Sequence, residues 1–89
     1  MAKKIIVHGK VQGVFFRDYT RKKATELNLK GYVGNMPDGT VKVIVEDDER
    51  IDELIQWLKL KGSPSSRVDK VDIEDIKSEE TFTGFEIRH

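Results

Sequence analysis

The chain has 89 residues, with 16 basic and 16 acidic side chains, two histidines and no cysteine. That length sets one domain over 1–89 with a core of about two packed layers. The missing cysteine excludes disulfide staples and thiolate metal sites, and zero net charge argues against a nucleic-acid face. No stretch approaches a signal-peptide core or a membrane span, so the expectation is a cytoplasmic protein with no membrane partner. A monomer is the default for so polar a chain. The 36% charged content fits a heat-adapted chain with surface ion-pair networks and ordinary solubility equally well.

In chain order, Lys4 to Val11 alternates, with Ile5, Val7 and Val11 on one face of a first strand. The next residues, Gln12-Gly13-Val14-Phe15-Phe16-Arg17, form a bend. From Asp18 to Leu27, Thr20 (through its methyl group), Ala24 and Leu27 make one stripe of an amphipathic helix. Asn28 then stands where a left-handed cap residue is wanted. Gly31 to Asn35 reads as a short second strand, and Met36-Pro37-Asp38-Gly39 as a turn. Val41, Val43 and Val45 point inward in a third strand, Thr40 to Glu46. Asp47 or Asp48 is placed to cap a second helix, whose stripe is Ile51, Leu54, Ile55 and Leu58, and Gly62 ends it. Ser63 to Ser66 is loop. Val71 and Ile73 alternate in a fourth strand, and Phe85 and Ile87 in a short terminal one, after a polar stretch from Lys77 to Thr83.

The resulting β-α-β-β-α-β order predicts an α+β, ferredoxin-like sandwich: an antiparallel sheet with two helices on one face and a small extra C-terminal strand. A right-handed crossover makes strands one and two parallel, with strand three most naturally between them. The bend at 11–17 and the side chain of Asn35 then meet at one end of the sheet. If Val33 faces the helices, alternation leans Asn35 over the start of the first helix.

This meeting has chemical content. The first N–H groups of a helix lack internal partners and carry partial positive charge. Gly13 permits unusual dihedrals, so the amides from Gln12 to Arg17 can converge on a tetrahedral anion. Arg17 adds a planar donor fork suited to phosphate or carboxylate. Val11, Val14, Phe15 and Phe16 are expected to anchor the loop in the core. Taken singly, a glycine bend before a helix is a common turn, an arginine a solvated surface group, and Asn35 a turn former. An anion site is the second reading of the same residues.

Gly9-Lys10-Val11-Gln12-Gly13-Val14-Phe15-Phe16-Arg17 matches, without a gap, the acylphosphatase signature Gly-x-Val-Gln-Gly-Val-x-Phe-Arg. Gly31-Tyr32-Val33-Gly34-Asn35 and Asp38-Gly39-Thr40-Val41 match a second signature of that family, and the resemblance runs along essentially the whole chain. The family is also ferredoxin-like. One departure is an extra serine before the proline in Gly62-Ser63-Pro64-Ser65-Ser66-Arg67-Val68, which bears on local loop shape.

The resemblance implies metal-independent and cofactor-free hydrolysis of small acyl phosphates to a carboxylate and inorganic phosphate. It implies that Arg17 binds phosphate, that Asn35 orients the attacking water, and that the backbone amides of Gln12, Gly13, Val14, Phe15, Phe16 and Arg17 form the phosphate cradle. So sparse a site suits the reaction. The leaving carboxylate has a low pKa, and a loose phosphoryl-transfer transition state needs chiefly positioning and charge stabilisation. No general base stands out. His8 lies on the strand face opposite Val7 and reads as a surface or packing residue, and Asp18 reads as helix-start stabilisation. The substrate's own phosphate is the remaining acceptor for the water's proton.

Two rival readings differ in kind. An RNA-recognition module shares the element order, and Lys30-Gly31-Tyr32-Val33 begins like its aromatic motif. Gly34 then stands where an aromatic should stack a base. A regulatory small-ligand domain would use the cradle for binding alone.

Overall fold

The computed structural model describes residues 1–78 and 80–88. Glu79, within the expected polar stretch, and His89, within the expected 1–89 domain, lie outside the described residues. The elements are β1 (Ala2–Lys10), α1 (Phe16–Glu26), β2 (Gly31–Asn35), β3 (Val41–Glu46), α2 (Ile51–Leu60), β4 (Arg67–Ile76) and β5 (Phe85–Arg88). The sheet order is β4-β1-β3-β2-β5. As expected, β3 lies between β1 and β2 and runs antiparallel to both.

The sheet is mixed rather than wholly antiparallel, because β5 pairs parallel with β2, from Gly31 opposite Phe85 to Gly34 opposite Arg88. The sheet order explains why. β4 and β5 occupy opposite edges, so the connection must cross the sheet. Phe82 holds it down, buried on the open face with Ala2 and Ile44 and against Tyr32, ring centroids 5.9 Å apart. The stretch 77–83, polar in sequence, thus carries one apolar anchor.

The other face carries the main core. Ile5, Val7, Val33, Val43 and Val45 meet Phe16, Ala24 and Leu27 of the first helical segment and the full stripe Ile51, Leu54, Ile55 and Leu58 of α2, all buried. Burying side chains of this size stabilises by about 1.5–3 kcal/mol each. Opposite this core the sheet is charged, with Lys4 beside Glu74 and His8 beside Asp72 at 2.9 Å.

Helix ends follow local chemistry. α1 starts two residues earlier than its polar stripe suggests, because Phe16 enters the core as its first residue. At its far end Asn28 adopts φ 58, and the N–H groups of Leu27, Asn28 and Leu29 return to the carbonyls of Lys23, Thr25 and Ala24. This is the left-handed cap anticipated from sequence. The start of α2 differs from expectation. Neither Asp47 nor Asp48 caps it; Arg50 holds that position without a side-chain cap. Asp48 instead closes a turn one step earlier, accepting from the Arg50 N–H at 2.9 Å and from its guanidinium. Those bonds to Arg50 hold the Asp48 carboxyl below the usual carboxylate range.

The loop with the extra serine packs under the helix layer. Ser63 is buried, its carbonyl accepts from the Ser66 hydroxyl at 2.7 Å, and a methyl group at Gly62 would stand 2.8 Å from the Phe16 ring. The loop is thereby part of the seat for Phe16.

Candidate active site

β1 reaches the bend through a bulge between His8 and Gly9 against β4. A side chain at Gly9 would collide with the Arg67 carbonyl at 2.1 Å, and its φ of 132° is one that L residues rarely adopt. Gly9 therefore belongs to strand geometry. Gly13 belongs to the bend: its φ is 73° and a Cβ there would meet nothing within 4 Å.

Residues 11–16 alternate between inside and outside. Val11, Val14 and Phe16 are buried, and the Phe16 ring lies 6.4 Å from Trp57. Phe15 corrects the sequence expectation. Its backbone is left-handed (φ 59°, ψ 20°) and its side chain is 74% exposed. Only three of the four expected anchors reach the core. The left-handed step turns Phe15 outward so that its neighbours on both sides can point in. Such a backbone costs a residue with a Cβ about 1–2 kcal/mol and persists where the surroundings impose it. Here the buried Val14 and Phe16 impose it.

Two consequences matter chemically. Among the described residues, the N–H groups of Gly13, Val14, Phe15 and Phe16 have no protein acceptor, while the Phe15 carbonyl accepts from the Tyr19 N–H at 3.1 Å and begins the helix. A short run of donors is thus left without protein acceptors at a helix start, where the dipole favours an anion. In addition, Gly13, Phe15, Phe16, Arg17 and Asp18 line one concave pocket of about 340 Å³ with Val11 and Ile87. Arg17, in the first turn of α1, is half-buried.

The tip of β2 is tied to this bend by the Gln12 side chain, where the sequence pattern points only to the Gln12 backbone amide. The Gln12 carboxamide donates to the Met36 carbonyl and to the Thr40 carbonyl, each at 2.8 Å. Met36 follows Asn35 directly, and its own N–H donates to the Thr40 carbonyl at 2.9 Å. Val33 faces the helices, fully buried, and Asn35 stands two residues on, exposed, opposite Val41. Gln12 therefore brings the bend to the residue next to Asn35, although Asn35 itself is not part of the pocket wall.

The turn between them is braced in turn. The Asp38 carboxylate accepts from the Thr40 hydroxyl at 2.6 Å and the Thr40 N–H at 3.0 Å. These two bonds, the hydroxyl's first, pull the Asp38 pKa below its ordinary value. Because folding lowers this pKa, the associated stability is complete above the ordinary aspartate range and is lost as pH falls through the folded value. Asp38→Ala should lower the urea midpoint at neutral pH, and the difference from wild type should shrink as the pH falls below the ordinary aspartate range. A difference that stays the same size into acid would mean that the ionised carboxylate contributes nothing.

His8 sits on the charged sheet face with its Nε2 2.9 Å from Asp72, as the strand alternation anticipates. Among the described residues, no group of three or more His, Cys, Asp or Glu side chains is placed to hold a metal ion, and no helix is long and apolar enough to cross a membrane.

Two helices laid on a mixed five-stranded sheet, with a glycine bend leading into the first helix, define a ferredoxin-like α+β protein with a pocket at one end of the sheet. The acylphosphatase family model matches residues 3–87. A curated acylphosphatase of Caldivirga maquilingensis is 47% identical over 88 residues, covering 97% of this chain and 92% of that protein. The crystal structure of acylphosphatase from Bacillus subtilis superposes with a TM-score of 0.90 at 34% identity, covering 99% of this chain and 98% of that one. An acylphosphatase structure from Coxiella burnetii does so at 0.86 and 40% identity, covering 98% and 90%. The chain belongs to the acylphosphatase family, a family of enzymes.

Proposed function

We propose that the pocket hydrolyses the carboxyl–phosphate bond of small acyl phosphates without a metal, releasing a carboxylate and inorganic phosphate. The observation that carries this reading is that, among the described residues, the N–H groups of Gly13 to Phe16 have no protein acceptor at a helix start, in a bend whose Gly13, Phe15 and Phe16 line one pocket with Arg17. Those amides, with Gln12 and Arg17, take up the phosphoryl oxygens. The guanidinium supplies a full charge that the amides cannot. Because the bend is held by buried Val11, Val14 and Phe16, the donors are fixed before substrate arrives, which is how preorganised dipoles stabilise a transition state most effectively.

The Asn35 carboxamide oxygen accepts a hydrogen bond from the attacking water and leaves the water's lone pair directed at phosphorus, opposite the leaving carboxylate. Water's oxygen forms the new bond, the bridging P–O bond breaks, and the carboxylate departs with that electron pair. The water's proton passes to a phosphoryl oxygen, so no histidine is required. The Gln12 bridge to Met36 and Thr40 sets the spacing between the cradle and the Asn35 tip, and a positioning effect of this kind is worth orders of magnitude in rate.

In this reading residues 1–89 act as one cytoplasmic, monomeric unit whose partners are the acyl phosphate and inorganic phosphate. The test is phosphate release from acetyl and benzoyl phosphate by chelator-treated protein, with a phosphomonoester as control. Turnover of the acyl phosphates alone is expected. Binding of phosphate without turnover of either acyl phosphate would replace the enzyme by a small-ligand binding domain.

A further inference from the structure

At Phe15 core packing explains the left-handed backbone but not the choice of residue. A large apolar ring stands 74% exposed, and its backbone occupies a left-handed region that asparagine or glycine would occupy with less strain. The ring itself does not serve the core, which Val14 and Phe16 already close at this point. Of Met1, Phe15, Tyr19, Leu60 and Ile73, the large hydrophobic side chains standing exposed among the described residues, Phe15 alone lines the pocket with Arg17. Val11 and Ile87 add apolar wall to the same concavity.

We infer that the Phe15 ring is the platform for the acyl group, and that the site favours acyl phosphates carrying a flat apolar or aromatic acyl group over acetyl phosphate. This rests on the phosphoryl-binding reading above. An acyl carbon is one bridging oxygen away from the phosphorus. With the phosphoryl group on the amides of the bend, the acyl group leaves the cradle within reach of a side chain carried by that same bend. A flat acyl group laid offset on the ring gains dispersion and quadrupole attraction that an acetyl methyl cannot match. The left-handed backbone is what presents the ring outward, so the strain at residue 15 and the selectivity have one origin.

The experiment compares kcat/KM for benzoyl and acetyl phosphate in wild type, Phe15→Asn and Phe15→Tyr. Asparagine tolerates the backbone and lacks the ring; tyrosine keeps the ring. The benzoyl-to-acetyl ratio should fall about fivefold in Phe15→Asn and stay within about twofold of wild type in Phe15→Tyr. An unchanged ratio in Phe15→Asn overturns the inference, as does an equal fall in Phe15→Tyr. A second measurement needs no variant: benzylphosphonate should inhibit wild type about fivefold more tightly than methylphosphonate. Equal inhibition constants count against the platform. Wild-type protein that hydrolyses neither acyl phosphate contradicts the hydrolase reading itself, an outcome separate from an unchanged ratio in an active enzyme.

Discussion

Arg17→Ala should lower turnover of acyl phosphates by about 10³-fold or more and remove measurable competitive inhibition by inorganic phosphate. Guanidinium groups that stabilise transferring phosphoryl oxygens are worth about 10³–10⁵ in kcat. At about 1.36 kcal/mol per tenfold, the lower figure corresponds to about 4 kcal/mol of transition-state stabilisation. The backbone amides remain in the variant, so a residual rate above water is expected. Arg17→Lys should recover only part of the loss, because an ammonium keeps the charge without the planar fork that pairs two phosphoryl oxygens. The substitution lies in the first turn of α1, whose buried residues are Phe16, Thr20 and Ala24, so the fold should survive it. The check is steady-state kinetics with a phosphate inhibition series and a far-UV melt on the same preparations. Full phosphate inhibition in the alanine variant would place the anion elsewhere.

Asn35→Ala should separate rate from binding. A water held in line by one carboxamide is a positioning effect, and misplacing a reactant by about 1 Å can cost about 10²-fold. The rate should therefore fall by about that factor while the phosphate inhibition constant stays within about twofold of wild type, since Asn35 is not part of the pocket wall around Arg17. Asn35→Asp is informative beside it: the carboxylate retains an acceptor but places a negative charge beside a phosphoryl dianion, so phosphate should bind more weakly there. An unaltered rate in the alanine variant would strip Asn35 of its role.

Where hydrophobic period and turn chemistry were strong, the chain was readable. Ile5 and Val7, the Val41-Val43-Val45 alternation, the Ile51-Leu54-Ile55-Leu58 stripe and the Asn28 cap all stand where one-dimensional pattern placed them. The topology followed from order alone, and with it the neighbourhood of the bend and the β2 tip. Three features escaped for identifiable reasons. The parallel β2–β5 pairing depends on a crossing that has no period, only Phe82 among polar residues. The outward turn of Phe15 depends on the sign of one dihedral, which residue type announces for glycine and not for phenylalanine. The Gln12 bridge spans 24 and 28 residues to backbone carbonyls, which carry no side-chain signature at their own positions. A neutral amide in the glycine bend, with buried Val11 and Val14 close on either side, was the available hint that something polar had to be satisfied there.

The proposed chemistry requires a phosphoryl group seated on the 12–17 bend. Titrating inorganic phosphate into chelator-treated, ¹⁵N-labelled protein and following the backbone amide resonances addresses this directly. Saturable shifts centred on Gly13, Val14, Phe15, Phe16 and Arg17, and absent in Arg17→Ala, are the predicted result. Shifts of the same affinity that bypass this bend, or that persist without the guanidinium, would contradict it.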